Sequence, residues 1–328
     1  MISDAEVELF DQSIRAAAEQ HRGADLDPAL ADLGWDDALA DDPHLAVSRL
    51  FEVQGAVNAT SSALDRVLSR ALALPAADRD GASAAAATVV VLPTLGSSQP
   101  PGTLTDGRLS VTSALTTTAP SSRDRALVVA RTTEHDVAVV VPTAALTSVG
   151  VSGLDPSLGL CSVSAAGLEV GAVTDVATWE NAVAAARVAI GHELVGLSRT
   201  MLEMARTHAL ERIQFGRPIA GFQAVRHRLA EALVAIEMAD AVLDAAWLDG
   251  SPTTAAMAKA LAGRSARTVA RHSQQVLAGI GFTTEHPFHR YMRRALVLDE
   301  LFGSARALTR QLGDDLIATR RLPAQLPL

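Results

Sequence analysis

The sequence predicts an α+β protein: a short N-terminal helical region, a central antiparallel β domain and a C-terminal antiparallel helix bundle. Three observations lead to this prediction. Apolar residues recur at helical spacing up to residue 74, valine and threonine are frequent over residues 84–172, and helical spacing returns from residue 178. The predicted domains are a helical domain at 1–80, a β-barrel or sandwich domain at 81–175, and a helix bundle at 176–328.

Composition narrows the classes of function. The 328 residues carry a formal net charge of −9, which argues against a nucleic-acid partner because phosphate binding needs a concentrated basic face. Cys161 is the only cysteine, so a disulfide framework and a thiolate metal site are excluded. The first residues lack a signal-peptide pattern, and no apolar run approaches the roughly 20 residues of a membrane span. We therefore expect a cytoplasmic protein that does not enter a membrane.

The N-terminal region predicts three helices. The first covers residues 4–22, where Val7, Phe10 and Ile14 follow one helical stripe. The second is short and starts at Asp27-Pro28, a cap followed by proline. The third runs from residue 43 to residue 74 and stops before a proline.

The middle of the chain predicts a β domain. Turn-forming glycine, proline and serine separate short runs of β-branched residues, and no helical period lies between them. An antiparallel barrel or sandwich therefore fits better than alternating β-α units. The clearest predicted strands lie at residues 87–92, 108–112, 126–130 and 137–141.

The last part of the chain predicts an antiparallel bundle, because helices of nearly 30 residues are joined by short connectors. Ser251-Pro252 is a cap followed by proline at the first helical position. The glycines at 279 and 281 interrupt the pattern. The predicted helices cover residues 179–210, 222–250, 252–278, 287–301 and 304–320.

The connector at residues 211–219 is richer in polar groups than a helix joint requires. Its glycine and proline explain a turn, but they do not explain Arg212 and Gln214. Guanidinium and amide donors suit oxyanions and amide-like edges. From the residues alone, a helix joint and a binding site both remain open.

Other patterns are weaker. Gly279-Ile280-Gly281 begins like a dinucleotide fingerprint, but it does not follow a strand, so we reject that interpretation. Glu285, His286 and His289 lack a further spaced donor, which favours a local cluster over a metal site. We therefore predict no metal site.

Three stretches together resemble the acyl-CoA dehydrogenase family. They are residues 212–219 with their continuation to 227, residues 275–287, and residues 290–294 leading to 301–303. The order of helical domain, β domain and helical bundle resembles the family as well. The resemblance implies the acyl-CoA dehydrogenase-like fold, FAD as cofactor and an acyl-CoA substrate. In that family a glutamate removes the α-proton, and the β-hydride passes to the flavin.

The resemblance implies FAD contacts only for part of the site. Arg212, Gln214 and Phe215 match the family residues that contact the pyrophosphate and adenosine part of FAD. Gln275 and Gly279 match residues of the second motif. In the family these positions reach into the FAD of a neighbouring subunit. The stretches that hold FAD within the same subunit have no match between residues 84 and 172.

The resemblance assigns no catalytic residue to this chain. The usual slot of the glutamate, immediately before a glycine, is occupied by Phe302. Some members of the family place the catalytic base at the start of the first bundle helix instead, and that position falls near Ala186. Glu193 and Glu300 are carboxylates nearby, but two residues along a helix turn a side chain by roughly 200°.

The resulting hypothesis is a shortened, non-catalytic subunit of a heteromeric (α2β2) dehydrogenase, similar to those of actinobacteria that oxidise steroid side-chain CoA thioesters. A full-length partner subunit would supply the base and most of the acyl-CoA pocket, FAD would be shared at the interface, and the chain alone would be inactive. Two alternatives remain open. One is a self-sufficient homo-oligomeric dehydrogenase with Glu193 or Glu300 as a displaced base, and the other is a non-enzymatic scaffold.

Overall fold

The computed structural model describes residues 4–21, 23–72, 88–176 and 179–320. The chain order is a group of helices, a β domain and a bundle of long helices, which confirms the predicted fold class. Within the described residues, no helix is both long enough and apolar enough to cross a membrane.

The N-terminal helices are shorter and more numerous than predicted. The single helix expected over residues 43–74 is wrong, because Asn58 takes a left-handed conformation with φ of 54° and ends the first of two helices. Residues 73 and 74 lie outside the described residues. The helices are α1 (Asp4–Gln20), α2 (Leu26–Asp32), α3 (Trp35–Asp41), α4 (Pro43–Val57) and α5 (Ala63–Ala71).

Over residues 88–176, the β domain contains strands at all four predicted places and four more. The strands are β1 (Thr88–Val90), β2 (Gly102–Thr105), β3 (Arg108–Thr116), β4 (Arg125–Arg131), β5 (Asp136–Pro142), β6 (Thr147–Gly150), β7 (Cys161–Glu169) and β8 (Thr174–Asp175). The sheet order is β6-β7-β3-β2-β4-β5-β8, with β1 beside β4. The prediction of a purely antiparallel domain is wrong in two places, because β1 and β2 both pair with β4 in parallel.

The bundle helices begin and end within about one residue of their predicted bounds. They are α6 (Trp179–Glu211), α7 (Gln223–Asp249), α8 (Pro252–Leu277), α9 (Phe288–Glu300) and α10 (Ala305–Thr319). The Ser251 side chain accepts a hydrogen bond from the Thr254 amide and so caps α8, as the Ser-Pro pair predicts.

Two glycines bring the N-terminal helices against the bundle. A Cβ atom added to Gly55 of α4 would lie 2.2 Å from the Glu193 carbonyl oxygen. A Cβ atom added to Gly196 of α6 would lie 2.1 Å from the Glu52 carbonyl oxygen. Each helix therefore presents a glycine to the backbone of the other, so the two backbones can touch where they cross.

Two arginines, one of them fully buried, tie the β domain to both groups of helices. The fully buried Arg294 of α9 donates to Asp155 in the loop before β7 and to the Ala59 carbonyl oxygen, which follows α4. Arg123, which precedes β4, donates to Asp27 of α2 over 2.8 Å. The orientation of the three parts is thus fixed by charged hydrogen bonds as well as by the apolar core.

Candidate functional site

The connector at residues 211–219 folds into a small hairpin between α6 and α7. Strands β9 (Ile213–Gln214) and β10 (Arg217–Pro218) pair antiparallel, with Phe215 and Gly216 between them. Phe215 has a φ of 54° and Gly216 a φ of 78°. Two consecutive positive φ angles are the geometry of a type I′ turn, for which glycine suits the second position. Phe215 adopts this conformation despite its side chain.

An aromatic cluster supports the hairpin and leaves its tip exposed. The Arg217 guanidinium lies over the Phe222 ring, 4.4 Å from its centroid. The edge of Phe215 meets the same ring at 6.1 Å, yet Phe215 remains 91% exposed. A strained and exposed phenylalanine at a turn is typical of a contact surface rather than of a simple helix joint.

The end of α8 forms the opposite wall. Ala278 follows α8 with a φ of 51°, and residues 278–282 continue as a short 3₁₀ turn. Gln275 lies in the last turn of α8, and Gly279 lies in the 3₁₀ turn. No atom lies within 4 Å of a Cβ atom added to Gly279, so glycine leaves open space here. The chain's own packing therefore does not require that glycine.

A cavity of about 770 Å³ lies between these walls. It brings together all five residues that the resemblance assigns to FAD: Arg212, Gln214, Phe215, Gln275 and Gly279. The cavity lies within the usual volume range of small-molecule sites, about 300–1,000 Å³. Its lining also contains the apolar side chains Ile219, Val225 and Val276.

The polar groups of the cavity have unused hydrogen-bonding capacity. Within the described part of the chain, the side chains of Arg212, Gln214 and Gln275 form no hydrogen bond or ion pair. Burial, and then the neighbouring Arg212 charge, lower the pKa of His208 at the same wall. A guanidinium, two amides and apolar walls fit the phosphate and adenosine portion of FAD, so the donor set matches the group that the resemblance implies.

Two lining residues were not predicted. His208 lies in the last turn of α6, four residues before Arg212, and Arg228 lies in the second turn of α7. The spacing of four residues between His208 and Arg212 was a usable signal, since it places both on one helix face. Nothing in the sequence around Arg228 distinguishes it from the surface arginines of the bundle.

The slot for the family's glutamate is filled by a packed aromatic ring. Phe302 is 1% exposed and lies against Trp179, with ring centroids 6.4 Å apart. Arg187 donates from Nε to the Phe302 carbonyl oxygen over 3.1 Å. Lys259 is fully buried and donates from Nζ to the carbonyl oxygens of Asp299 and Gly303. These contacts make residues 299–303 a structural turn without a carboxylate at the slot.

Glu193 is buried in a different part of the fold. Its Oε1 lies 3.7 Å from Nη1 of Arg294, and burial raises the pKa of Glu193 to about 7. The carboxylate faces a cavity of about 30 Å³, which is lined also by Gln54, Ile190 and Leu298. That volume holds about one water molecule and no acyl chain.

The other two positions differ in their surroundings. Glu300 is partly exposed at the end of α9, with Oε1 3.6 Å from Nη2 of Arg267. Ala186 is fully buried on α6.

The histidine cluster at residues 285–289 is engaged in local hydrogen bonds. Nδ1 of His286 accepts from the Phe288 amide, and Nδ1 of His289 lies 2.9 Å from the His286 carbonyl oxygen. These bonds are those of a helix start.

A second group of metal-type side chains lies elsewhere. Among the described residues, Glu52, His192 and Asp240 alone bring three potential ligand atoms within 4.8 Å of one another. Trp247, however, donates to Nε2 of His192, which places the histidine proton on Nδ1, facing Glu52. Both ring nitrogens are then used, so His192 has no free lone pair for a cation.

Comparison with known proteins identifies the bundle. Residues 176–317 match the family profile described as acyl-CoA dehydrogenase, C-terminal domain. The chain is 37% identical over 127 residues to acyl-CoA dehydrogenase IpdE2 of Mycobacterium tuberculosis, covering 39% of this chain and 40% of that protein. The IpdE2 protein of Mycolicibacterium smegmatis is 32% identical over 142 residues, covering 43% and 46%. The matches thus span less than half the length of these relatives.

Solved structures match over nearly the whole chain. The ChsE4-ChsE5 complex of Mycobacterium tuberculosis gives a TM-score of 0.79 at 21% identity, covering 99% of both chains. The Tcur3481-Tcur3483 steroid ACAD gives 0.77 at 24% identity, covering 97% of this chain and 94% of that one. Residues 176–317 therefore match an acyl-CoA dehydrogenase C-terminal domain, and the whole chain has the acyl-CoA dehydrogenase fold.

Proposed function

We propose that this chain is a subunit of a heteromeric, FAD-dependent acyl-CoA dehydrogenase and that it lends cofactor contacts to a catalytic partner. One observation carries the proposal. The five predicted contact residues line one open cavity with unused donors, whereas Phe302 fills the slot of the base. A chain of this kind can hold part of a cofactor but lacks a carboxylate to take the α-proton.

The roles of the residues follow from their chemistry. Arg212 would hold an oxyanion of the FAD pyrophosphate, and Gln214 and Gln275 would hydrogen-bond the adenosine part. Phe215 would pack on an apolar face, and Gly279 would let the cofactor approach the backbone. FAD, when bound, accepts the hydride in the oxidation of a CH-CH bond to a double bond. The partner would supply the base and most of the acyl-CoA pocket.

The substrate is proposed from similarity. The relatives include a protein named for steroids, and IpdE2 is an acyl-CoA dehydrogenase. A steroid side-chain acyl-CoA is therefore the first substrate to test, in an α2β2 assembly with a full-length acyl-CoA dehydrogenase subunit.

The replacement Arg212→Ala tests the proposal in the complex of this chain with its partner. We expect at least a several-fold weaker retention of FAD, because a charge-assisted contact to phosphate is lost. The flavin absorbance per complex after gel filtration measures this. Arg264→Ala is the matched control, since Arg264 is an exposed bundle arginine away from the cavity.

Unchanged flavin content in Arg212→Ala would favour the non-enzymatic scaffold. The flavin absorbance of the lone chain tests whether the chain needs its partner to bind FAD. Stoichiometric flavin and dehydrogenation of an acyl-CoA by the lone chain would contradict it.

A self-sufficient enzyme with a displaced base is the second candidate. The observation in its favour is Glu193, a buried carboxyl with a pKa of about 7, which suits proton abstraction. The cavity beside Glu193, about 30 Å³, is too small for an acyl chain, which argues against this role. If Glu193 or Glu300 is the base, Glu193→Gln or Glu300→Gln abolishes turnover while FAD is retained. Under the first proposal, both variants keep the activity of the complex.

A further inference from the structure

The ionisable side chains that line the candidate cavity all have one sign of charge. Of the described residues in its lining, Arg212, Arg228 and His208 are basic and none is acidic. The whole chain has a formal net charge of −9, so this lining is a local exception. Basic side chains around one cavity favour an anionic ligand. The proposed function uses Arg212 alone, which leaves His208 without a role.

His208 and Arg212 lie on the same face at the end of α6. The Arg212 amide donates to the His208 carbonyl oxygen over 2.8 Å, which is the bond that closes a helical turn. Side chains four residues apart on a helix have Cβ atoms about 5–6 Å apart. The imidazole and the guanidinium can therefore reach the same anionic group from one wall of the cavity.

The imidazole of His208 is available to a ligand. Within the part of the chain that the structure describes, neither of its ring nitrogens forms a hydrogen bond or an ion pair. The nearby His286 differs, because its Nδ1 accepts from the Phe288 amide. His208 is half-buried, so a hydrogen bond to an anion there would be only partly screened by water.

The surroundings of His208 disfavour its cationic form when no anion is bound. Burial, and then the Arg212 charge, lower its pKa from the ordinary value of 6.5, and the Glu211 charge opposes them. An anion would reverse this balance, because it would neutralise the arginine and attract an imidazolium. The groups that face His208 or the cavity are Glu211 and Arg212 at the end of α6, Arg228 of α7, the uncharged Gln275 of α8, and His286 before α9.

We propose that His208 takes up a proton from solvent when the phosphate groups of the cofactor enter the cavity, and that it then holds a phosphate oxygen together with Arg212. The inference rests on the proposed function, because FAD is the anion concerned. The diphosphate of FAD is a diester whose oxyanions stay ionised near neutral pH, so FAD does not bind this proton itself.

The direction of the pH dependence follows from the proton uptake. A bound anion raises the pKa of His208 above its value in the unliganded chain. The contribution of His208 to FAD binding is therefore complete below the unliganded pKa, and it is lost as the pH rises through the liganded pKa. A rise of about one pKa unit on binding corresponds to about a tenfold change in Kd.

Binding of FAD to the flavin-free complex of this chain with its partner tests the inference. Titration calorimetry at neutral pH, in two buffers of different ionisation enthalpy, gives the number of protons taken up with each FAD. We expect a net uptake that disappears in His208→Gln. For the wild-type complex we expect a Kd about tenfold higher at about pH 8.5 than at about pH 5.5.

His208→Arg separates the charge of this residue from its packing. Because arginine stays cationic, this variant should bind FAD equally well at both pH values, which a purely structural role of His208 would not produce. His21→Gln is the matched control, since His21 is an exposed histidine outside the cavity, and it should keep the wild-type pH dependence. Circular dichroism at both pH values verifies that the variants are folded.

His286→Gln identifies the titrating histidine. A pH dependence that is lost in His286→Gln and kept in His208→Gln would refute the assignment to His208. FAD binding without proton uptake, with weaker flavin retention in Arg212→Ala, would refute this inference and leave the proposed function in place. Unchanged flavin content in both Arg212→Ala and His208→Gln would refute both, because neither residue would then contact the cofactor.

Discussion

At the residue scale, two clusters share one feature, in which a single arginine lies near two carboxyl groups. Arg294 contacts Asp155 and Glu193, and Arg123 contacts Asp27 with Asp65 nearby. One charge cannot neutralise two carboxylates in an apolar setting, so the second carboxyl resists ionisation. Burial accordingly raises the pKa of Glu193 and that of Asp65 to about 7 in each case.

The raised pKa of Glu193 predicts a specific pH dependence of stability. In the folded state the pKa of the Glu193 carboxyl is about 7, against an ordinary glutamate value of 4.5. Between these values the folded chain binds more protons, so this carboxyl lowers stability as pH rises, and the loss is complete above pH 7. The Glu193→Gln variant has no carboxyl group at this position, so it does not lose this stability as the pH rises. Relative to wild type, the variant should gain on the order of 2 kcal/mol between about pH 5 and about pH 8.

Urea unfolding of both proteins at the two pH values measures this difference. Glu203→Gln is the control, because Glu203 is an exposed residue of the same helix. A stability difference between Glu193→Gln and wild type that does not change with pH would show that Glu193 is ionised in both states.

At the element scale, the crossing of α4 and α6 depends on the absence of side chains. Gly196→Ala places a methyl group against the Glu52 carbonyl oxygen of α4, so the helices must separate. We expect a loss of about 3 kcal/mol in the free energy of unfolding, at the upper end of overpacking costs. Gly313→Ala is the matched control on α10, where nothing lies within 4 Å of the added Cβ atom.

The control should be neutral or stabilising by up to about 1 kcal/mol, because alanine is the better helix former. Thermal unfolding monitored by circular dichroism compares the two variants. Equal stability of Gly196→Ala and wild type would mean that the helices do not meet at this point.

Elements also show what the sequence could predict. The bundle helices are long and well capped, so their bounds follow from periodicity and from Ser251-Pro252. Strand β7 was missed because its Ser, Ala and Gly residues show no apolar alternation, and its pairing with β3 is what makes it a strand. The break between α4 and α5 was missed because Val57 and Leu64 continue the apolar helical spacing across Asn58. In both cases tertiary contacts outweigh local preference.

At the scale of the whole molecule, Arg294 joins all three parts of the fold. Arg294→Leu would leave Asp155 and Glu193 buried near each other without a counter-charge and would release the Ala59 carbonyl oxygen. Removing one member of a buried ion pair costs about 3–5 kcal/mol. We expect a loss of stability of that size, measured by urea unfolding.

The neighbouring Arg293 provides the control, since it is exposed on the same helix. Arg293→Leu should change stability by less than about 0.5 kcal/mol, as is usual for surface substitutions. Equal effects of the two replacements would contradict a special role of Arg294.

The candidate site could be predicted only in part. The resemblance pointed to Arg212, Gln214 and Gln275 as contact residues. In the structure these residues line one cavity. Their convergence could not be read from the sequence, because the end of α8 meets the hairpin only through the packing of α6, α7 and α8. The exposure of Val234, Met238 and Leu248 on α7 was likewise hidden, since a helical pattern does not say which of two apolar sides faces the core.

The burial of Lys259 protects the one lysine side chain of the sequence from amine-reactive reagents. It is the only lysine in the sequence, and its Nζ is enclosed beneath the carbonyl oxygens of Asp299 and Gly303. An N-hydroxysuccinimide ester therefore finds no accessible lysine side chain while α8 and α9 stay together. The rate at which Lys259 becomes acylated thus reports, at a single site, how often the turn that carries Phe302 opens.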